Sequence, residues 1–160
     1  MNKTSQIINL LSIRHRKDVF VTECKTGSTW DKHRKFDAWV MRKSWINHMI
    51  FGYEVKISRS DFLQDKKWRD YLPYCHKFYF VTPWGLIDKQ EIEEPAGLIY
   101  ASKNMSKLYI QKRVSPRIIQ DPINIYIYLL MSRTILVSPT EHWDYELGKL
   151  KLIDITQKVG

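Results

Sequence analysis

Residues 50–62, Ile-Phe-Gly-Tyr-Glu-Val-Lys-Ile-Ser-Arg-Ser-Asp-Phe, carry the cleanest alternation of apolar and polar positions in the chain. Read as a strand, Phe51, Tyr53, Val55 and Ile57 point one way, and Gly52, Glu54, Lys56 and Ser58 point the other. A carboxylate and an ammonium then share one face, about 7 Å apart at their Cα atoms. Upstream, Phe36-Asp37-Ala38-Trp39-Val40-Met41 reads as a second strand. Its one acid, Asp37, is costly in such a setting unless a positive group holds it.

The same pattern reading extends along the chain. Thr4 or Ser5 caps a predicted helix over 4–16, with Ile7, Leu10, Leu11 and Arg14 at helical spacing. Val19 to Lys25 is a strand rich in β-branched residues, broken by Thr26-Gly27-Ser28. After the strand at 49–58, Ser58 or Ser60 starts a helix whose stripe is Phe62, Trp68, Leu72 and Cys75, with Pro73 near its end. Phe78-Tyr79-Phe80-Val81 is a near-continuous apolar run, expected of a strand covered on both faces. Strand, helix and strand across 50–82 form a crossover unit, which makes the two strands parallel. Residues 97–101 and 107–112 form a peripheral hairpin. Asp121-Pro122 opens a helix packed on the sheet, although the Ile/Tyr alternation behind it also suits a strand. The last twenty residues are ambiguous.

A chain of 160 residues argues for one domain, 1–160, with a single core. Its longest apolar run, Ile123 to Met131, is too short to cross a bilayer, and Asn9 interrupts the short apolar stretch at 7–11, so no secretory pattern is present. The expected location is cytoplasmic. Cys24 and Cys75 form no C-x-x-C pair, which suits a reduced compartment and two buried, inert thiols. The net charge of +9 favours a polyanionic partner, nucleic acid before membrane, over a lysine-rich surface that is merely solvated. The five histidines lack zinc-hydrolase spacing. No glycine-rich phosphate loop points to NTP, and no G-x-S-x-G elbow is present.

Phosphodiester hydrolysis needs an activated water, neutralisation of charge on the scissile phosphate and help for the leaving oxygen. Asp37 and Glu54 are suitable ligands for Mg²⁺ or Mn²⁺, with the backbone carbonyl of Val55 as a further donor. Lys56 supplies an ammonium to orient the water or shield charge. Glu-x-Lys alone recurs by chance, and its ordinary reading is an exposed ion pair on a strand.

Further strings make the pattern more specific: Thr22-Glu23-Cys24-Lys25-Thr26-Gly27-Ser28, Arg34-Lys35-Phe36-Asp37-Ala38 and Tyr53-Glu54-Val55-Lys56-Ile57-Ser58-Arg59-Ser60-Asp61-Phe62. Trp68, Tyr71-Leu72-Pro73-Tyr74-Cys75, Phe78-Tyr79-Phe80-Val81-Thr82-Pro83, Gly85-Leu86-Ile87 and Gly97-Leu98-Ile99 continue it. Together they resemble the PD-(D/E)XK nuclease superfamily, in particular its MmcB-like, DNA-repair-associated branch and phage and mobile-element relatives. The resemblance is strongest over 18–101. It implies an α/β, restriction-endonuclease-like fold, a mixed central sheet flanked by helices. It implies a Mg²⁺-dependent deoxyribonuclease of repair, recombination or mobile-element processing, acting on DNA that includes branched forms. Small relatives with this fold often pair into homodimers. The alternative is a non-catalytic nucleic-acid-binding or interaction module that keeps the fold.

Phe36 stands where the superfamily's Pro is expected, and the first helix lacks the acid that many relatives place there. Glu23 either takes that part or pairs with Lys25 or Lys35. Ser58 and Asp61 either cap the following helix or support the site. Arg59 either holds a phosphate or pairs with Asp61. The basic loop Lys32-His33-Arg34-Lys35, flanked by Trp30 and Phe36, runs beside any site that joins Glu23 to Asp37, and would gather the phosphate backbone there.

Overall fold

The computed structural model describes residues 2–27 and 33–133, together with the backbone of a strand pair further along the chain. The chain divides into two compact units, Met1–Tyr128 and Leu129–Gly160. The larger unit is a mixed α/β structure. Its elements are α1 (Lys3–Arg14), β1 (Val19–Lys25), β2 (Lys35–Met41), β3 (Ile50–Val55), α2 (Arg59–Gln64), a 3₁₀ segment (Trp68–Tyr74), β4 (Lys77–Pro83), β5 (Ala96–Ala101) and β6 (Leu108–Lys112). A third helix, α3, spans Ile123–Ser132, and β7 (Glu141–Asp144) pairs antiparallel with β8 (Lys149–Leu152). The six strands of the larger unit form one sheet in the order β1-β2-β3-β4-β5-β6. The pairs β3/β4 and β4/β5 are parallel and the other three are antiparallel.

Local chemistry accounts for most boundaries. The cap of α1 is Asn2, not Thr4 or Ser5: its Oδ1 accepts from the Ser5 N–H at 2.8 Å. The helix expected after β3 starts where Ser58 accepts from the Asp61 N–H at 3.2 Å. It runs only six residues, and Pro73 lies inside the separate 3₁₀ segment that follows, so a single long helix does not form. The crossover nevertheless leaves β3 and β4 parallel, as the strand–helix–strand order requires. The hairpin over 97–112 forms, but β5 is not peripheral. It pairs with β4 and β6 and is almost wholly buried, which leaves β6 at the edge. The segment after Asp121-Pro122 is a helix. It buries Ile125 and sets the Tyr126 ring edge-on to Trp39 at 6.5 Å, while Ile123 and Ile127 stay exposed.

Two packed layers cover the sheet. Against one face α1 buries Ile7 and Leu11 on Ala38, Val40, Tyr53, Val55, Tyr79, Val81 and Ile99. Against the other, the 3₁₀ segment stacks Trp68 and Tyr71 on Phe78, with ring centroids 5.9 and 5.7 Å apart, and Trp68 also meets Phe80 edge-on. These aromatic residues are core, as their spacing predicts. Gly52 lies under this second layer. A Cβ there would stand 2.4 Å from the Phe36 ring and 3.0 Å from the Cys75 Sγ, so only glycine fits the close approach. Cys24 and Cys75 are both buried, and burial pushes the Cys75 thiol up to about 12. Among the described residues no helix is long and apolar enough to cross a membrane.

Candidate functional site

The site forms where β2 leaves β3. The last ladder pair is Ala38 with Tyr53, and one step outward the strands part. There Asp37 replaces the missing backbone partner: its Oδ2 accepts from the Val55 N–H at 2.7 Å. In an extended strand the N–H and C=O of one residue leave by the same edge, so the Val55 carbonyl is directed to this side as well. The other edge of β3 stays in the sheet, where the Lys56 N–H bonds the Val81 carbonyl at 3.0 Å beyond the strand's end. Burial raises the carboxyl of Asp37 above its usual range, against the lowering effects of the Val55 amide and the Lys56 ammonium.

Glu54 and Lys56 share one face, as their spacing requires. The Lys56 Nζ lies 3.2 Å from the Glu54 Oε1, but the pair is not the exposed ion pair of the ordinary reading, since both side chains are largely buried. Lys56 is also 2.9 Å from the Asp65 Oδ2 and 3.6 Å from the Asp61 Oδ1. Burial alone would lower the pKa of this ammonium, yet the bond to Asp65 and the charges of Glu54, Asp65 and Asp61 hold it above the usual lysine value. The second oxygen of Glu54, Oε2, is buried with no hydrogen-bond partner among the described residues. Burial first, and the charge of Asp37 second, push the Glu54 carboxyl up to about 8. A buried acceptor in that state calls for a proton or a cation.

Glu54 and Lys56 open on a hollow of about 310 Å³, walled by Arg34, Asp61, Gln64, Asp65, Lys66, Lys67 and Tyr71. Asp37 is not part of that wall. It meets the other two through the Val55 amide and through the mutual influence of its charge with those of Glu54 and Lys56. Among the described residues no group of three or more His, Cys, Asp or Glu side chains is arranged to hold a metal ion. The oxygen donors at this point of the sheet are the Asp37 and Glu54 carboxylates and the Val55 carbonyl. That suits a hard cation that keeps several waters, and does not suit zinc. The partnerless Glu54 Oε2 is the feature such a cation would satisfy.

The remaining predicted residues divide. Ser58 is the cap of α2, and Asp61 faces Lys56, so both of their readings hold in part. Glu23 sits at a positive φ of 52°, where the β1/β2 register passes from Thr22–Ala38 to Cys24–Phe36, and its carboxylate pairs with Lys35. This is the ion-pair reading of Glu23, and it also takes Lys35 out of the set of free cations. Arg34 reaches the hollow, where its guanidinium is 2.6 Å from Asp70. Arg59 holds neither Asp61 nor an open position. It forms a two-pronged pair with Glu91, at 3.0 and 2.5 Å, across 32 residues of sequence. Lys32 and Trp30 lie outside the described residues. Sequence reasoning missed Asp65, Lys66, Lys67 and Tyr71. For Asp65 a signal existed, because it stands four residues beyond Asp61 and so falls on the same side of a helical turn.

No family model matches the chain, and no curated protein matches it. The fold has a counterpart among solved structures in a protein of unknown function from Silicibacter pomeroyi, at 16% identity and a TM-score of 0.63, covering 82% of this chain and 88% of that one. That likeness is one of fold.

Proposed function

We propose that the protein is a divalent-metal-dependent nuclease that hydrolyses phosphodiester bonds in DNA, built on a restriction-endonuclease-like sheet. The observation that carries this reading is the buried Glu54 carboxylate. One oxygen is held by Lys56, the other has no partner, and Asp37 raises its proton affinity from the neighbouring strand. Asp37, Glu54 and the Val55 carbonyl would hold the ion, which when bound lowers the pKa of water and neutralises charge on the scissile phosphate.

The chain's own groups supply the rest. Lys56, pinned by Asp65 and Glu54, presents a positive charge of fixed position at the wall of the hollow. Arg34, Lys66 and Lys67 ring the same hollow and would draw in the phosphate backbone. Tyr71 closes its inner side, its hydroxyl donating to the Lys35 carbonyl at 3.1 Å.

A second reading is a nucleic-acid-binding module that keeps the fold without cutting. The observation that favours it is the pairing of Lys56 with Glu54 and Asp65, with Asp61 close by, which ties that ammonium into the fold. One assay separates the two. The protein is incubated with single-stranded, duplex and branched DNA, with Mg²⁺ or Mn²⁺ and with EDTA. Cutting that EDTA stops, and that Asp37→Ala and Lys56→Ala each reduce by about 100-fold or more, supports the nuclease. Binding without cutting, unchanged by Glu54→Ala, supports the module.

A further inference from the structure

The sheet face opposite Glu54 carries a second and larger hollow, of about 540 Å³. Tyr53, the residue before Glu54, lines it, so successive side chains of β3 serve different hollows on different faces. Its floor is a row of rings. Phe51 and Tyr53 lie nearly parallel, 9° apart with centroids at 6.4 Å, and Tyr79 continues the row 6.1 Å beyond Tyr53. Its back wall is His15, buried to 7% exposure, with Nε2 2.7 Å from the Tyr53 hydroxyl and Nδ1 2.9 Å from Asp18.

Its rim is cationic. Arg14, Arg42, Lys77 and Arg113 all line the hollow, and Asp18 is its single carboxylate. That carboxylate is already engaged, one oxygen with His15 and the other accepting from the Lys43 N–H at 3.3 Å. Among the described residues none of the four cations has a carboxylate partner, whereas Arg34, Lys35, Lys56, Arg59, Arg69 and Lys112 each have one. Arg42 lies over the Phe51 ring at 5.6 Å, which keeps its charge above the aromatic floor. Four unpaired cations around one apolar platform repel one another, and an anion placed among them relieves that repulsion. A volume of this size suits a small organic molecule.

We propose that this hollow is a second binding site, for a small anion that couples a flat ring system to a phosphate group. The half-buried Phe51 ring, backed by the buried Tyr53 and Tyr79, would carry the flat body, and Arg42, Lys77 and the neighbouring guanidinium groups the anionic end. The proposal does not rest on the nuclease reading, because it uses neither Asp37, Glu54 nor Lys56.

The test uses the full-length protein and titration calorimetry with three probes: a nucleoside 5′-monophosphate, the parent nucleoside and inorganic phosphate. The monophosphate is expected to bind at least about tenfold more tightly than either fragment, and the double variant Arg42→Ala/Lys77→Ala to lose about tenfold or more. Both substitutions remove exposed or half-exposed side chains, and circular dichroism checks that the fold is kept. Glu54→Gln is expected to leave the affinity unchanged. Equal binding of nucleoside and monophosphate overturns the proposal, as does full affinity in the double variant or no binding at millimolar probe. A loss of binding in Glu54→Gln places the ligand in the other hollow and overturns it too. So does affinity seen only with oligonucleotides and rising with their length, which would assign the phosphate to a nucleic-acid strand instead.

Discussion

The two hollows lie on opposite faces of one strand, and they treat charge in opposite ways. On the Glu54 face Lys66 and Lys67 stand exposed at the wall, but the buried charges are answered inside the fold: Lys56 by Glu54 and Asp65, Asp37 by the Val55 amide. What remains unanswered is one carboxylate oxygen, the Glu54 Oε2. On the Tyr53 face the interior is aromatic, and the charges stand at the rim, where water can solvate Arg14, Arg42 and Arg113, which have no carboxylate partner among the described residues. Burial is what makes the difference. An ammonium such as Lys56 cannot be left unpaired in the interior, whereas a rim guanidinium can, and so stays available to a ligand. A deficit in the buried set is therefore the more telling sign of a missing positive group, and an excess at the rim the sign of a missing negative one.

This contrast can be broken most sharply by pH. Glu54 titrates near 8 in the folded protein, against 4.5 for an ordinary glutamate. Between those values the folded state holds a proton that the unfolded state has lost, so metal-free stability falls as pH rises through 4.5 to 8. The elevated Asp37 adds to the fall in the same direction. Glu54→Gln should remove much of this slope, an effect on the order of a few kcal/mol, read from urea midpoints across that range. An identical slope in the variant would place the strain elsewhere.

Gly52→Ala comes next. It belongs to the Glu54 face, and its new Cβ would strike Phe36 and Cys75. Urea unfolding should show a loss of about 1–3 kcal/mol. Stability equal to wild type would mean that this layer is looser than its distances imply.

Much of this arrangement is written in local pattern. The alternation through 50–56 fixes which side chains share a face, the run Phe78–Val81 marks a strand covered on both sides, and Ser58 announces the turn into α2. What cannot be read is anything set by partners distant in sequence. The pair Arg59–Glu91 spans 32 residues, and the interior place of β5 depends on β6 folding back outside it. Asp37 was legible as an anomalous acid, but its hydrogen bond to the Val55 amide arises only where β2 and β3 part, and no local string encodes that point. The basic rim of the second hollow gathers Arg14, Arg42, Lys77 and Arg113 from four separate segments; the runs Arg14-His15-Arg16-Lys17 and Lys112-Arg113 are visible as basic stretches, but nothing local joins them.

The smallest effect expected is that of Arg59→Ala. The pair with Glu91 is solvent-exposed and screened by water, so its loss should barely move the urea midpoint and should leave DNA affinity unchanged. A marked drop in affinity would return Arg59 to the binding surface and weaken the division between paired and available cations.

The most direct test of the central claim is anomalous diffraction from crystals soaked in Mn²⁺. A single strong peak is expected within coordination distance of an Asp37 oxygen and the Glu54 Oε2, absent in Glu54→Gln crystals. No peak there, or one unaffected by the substitution, would contradict it.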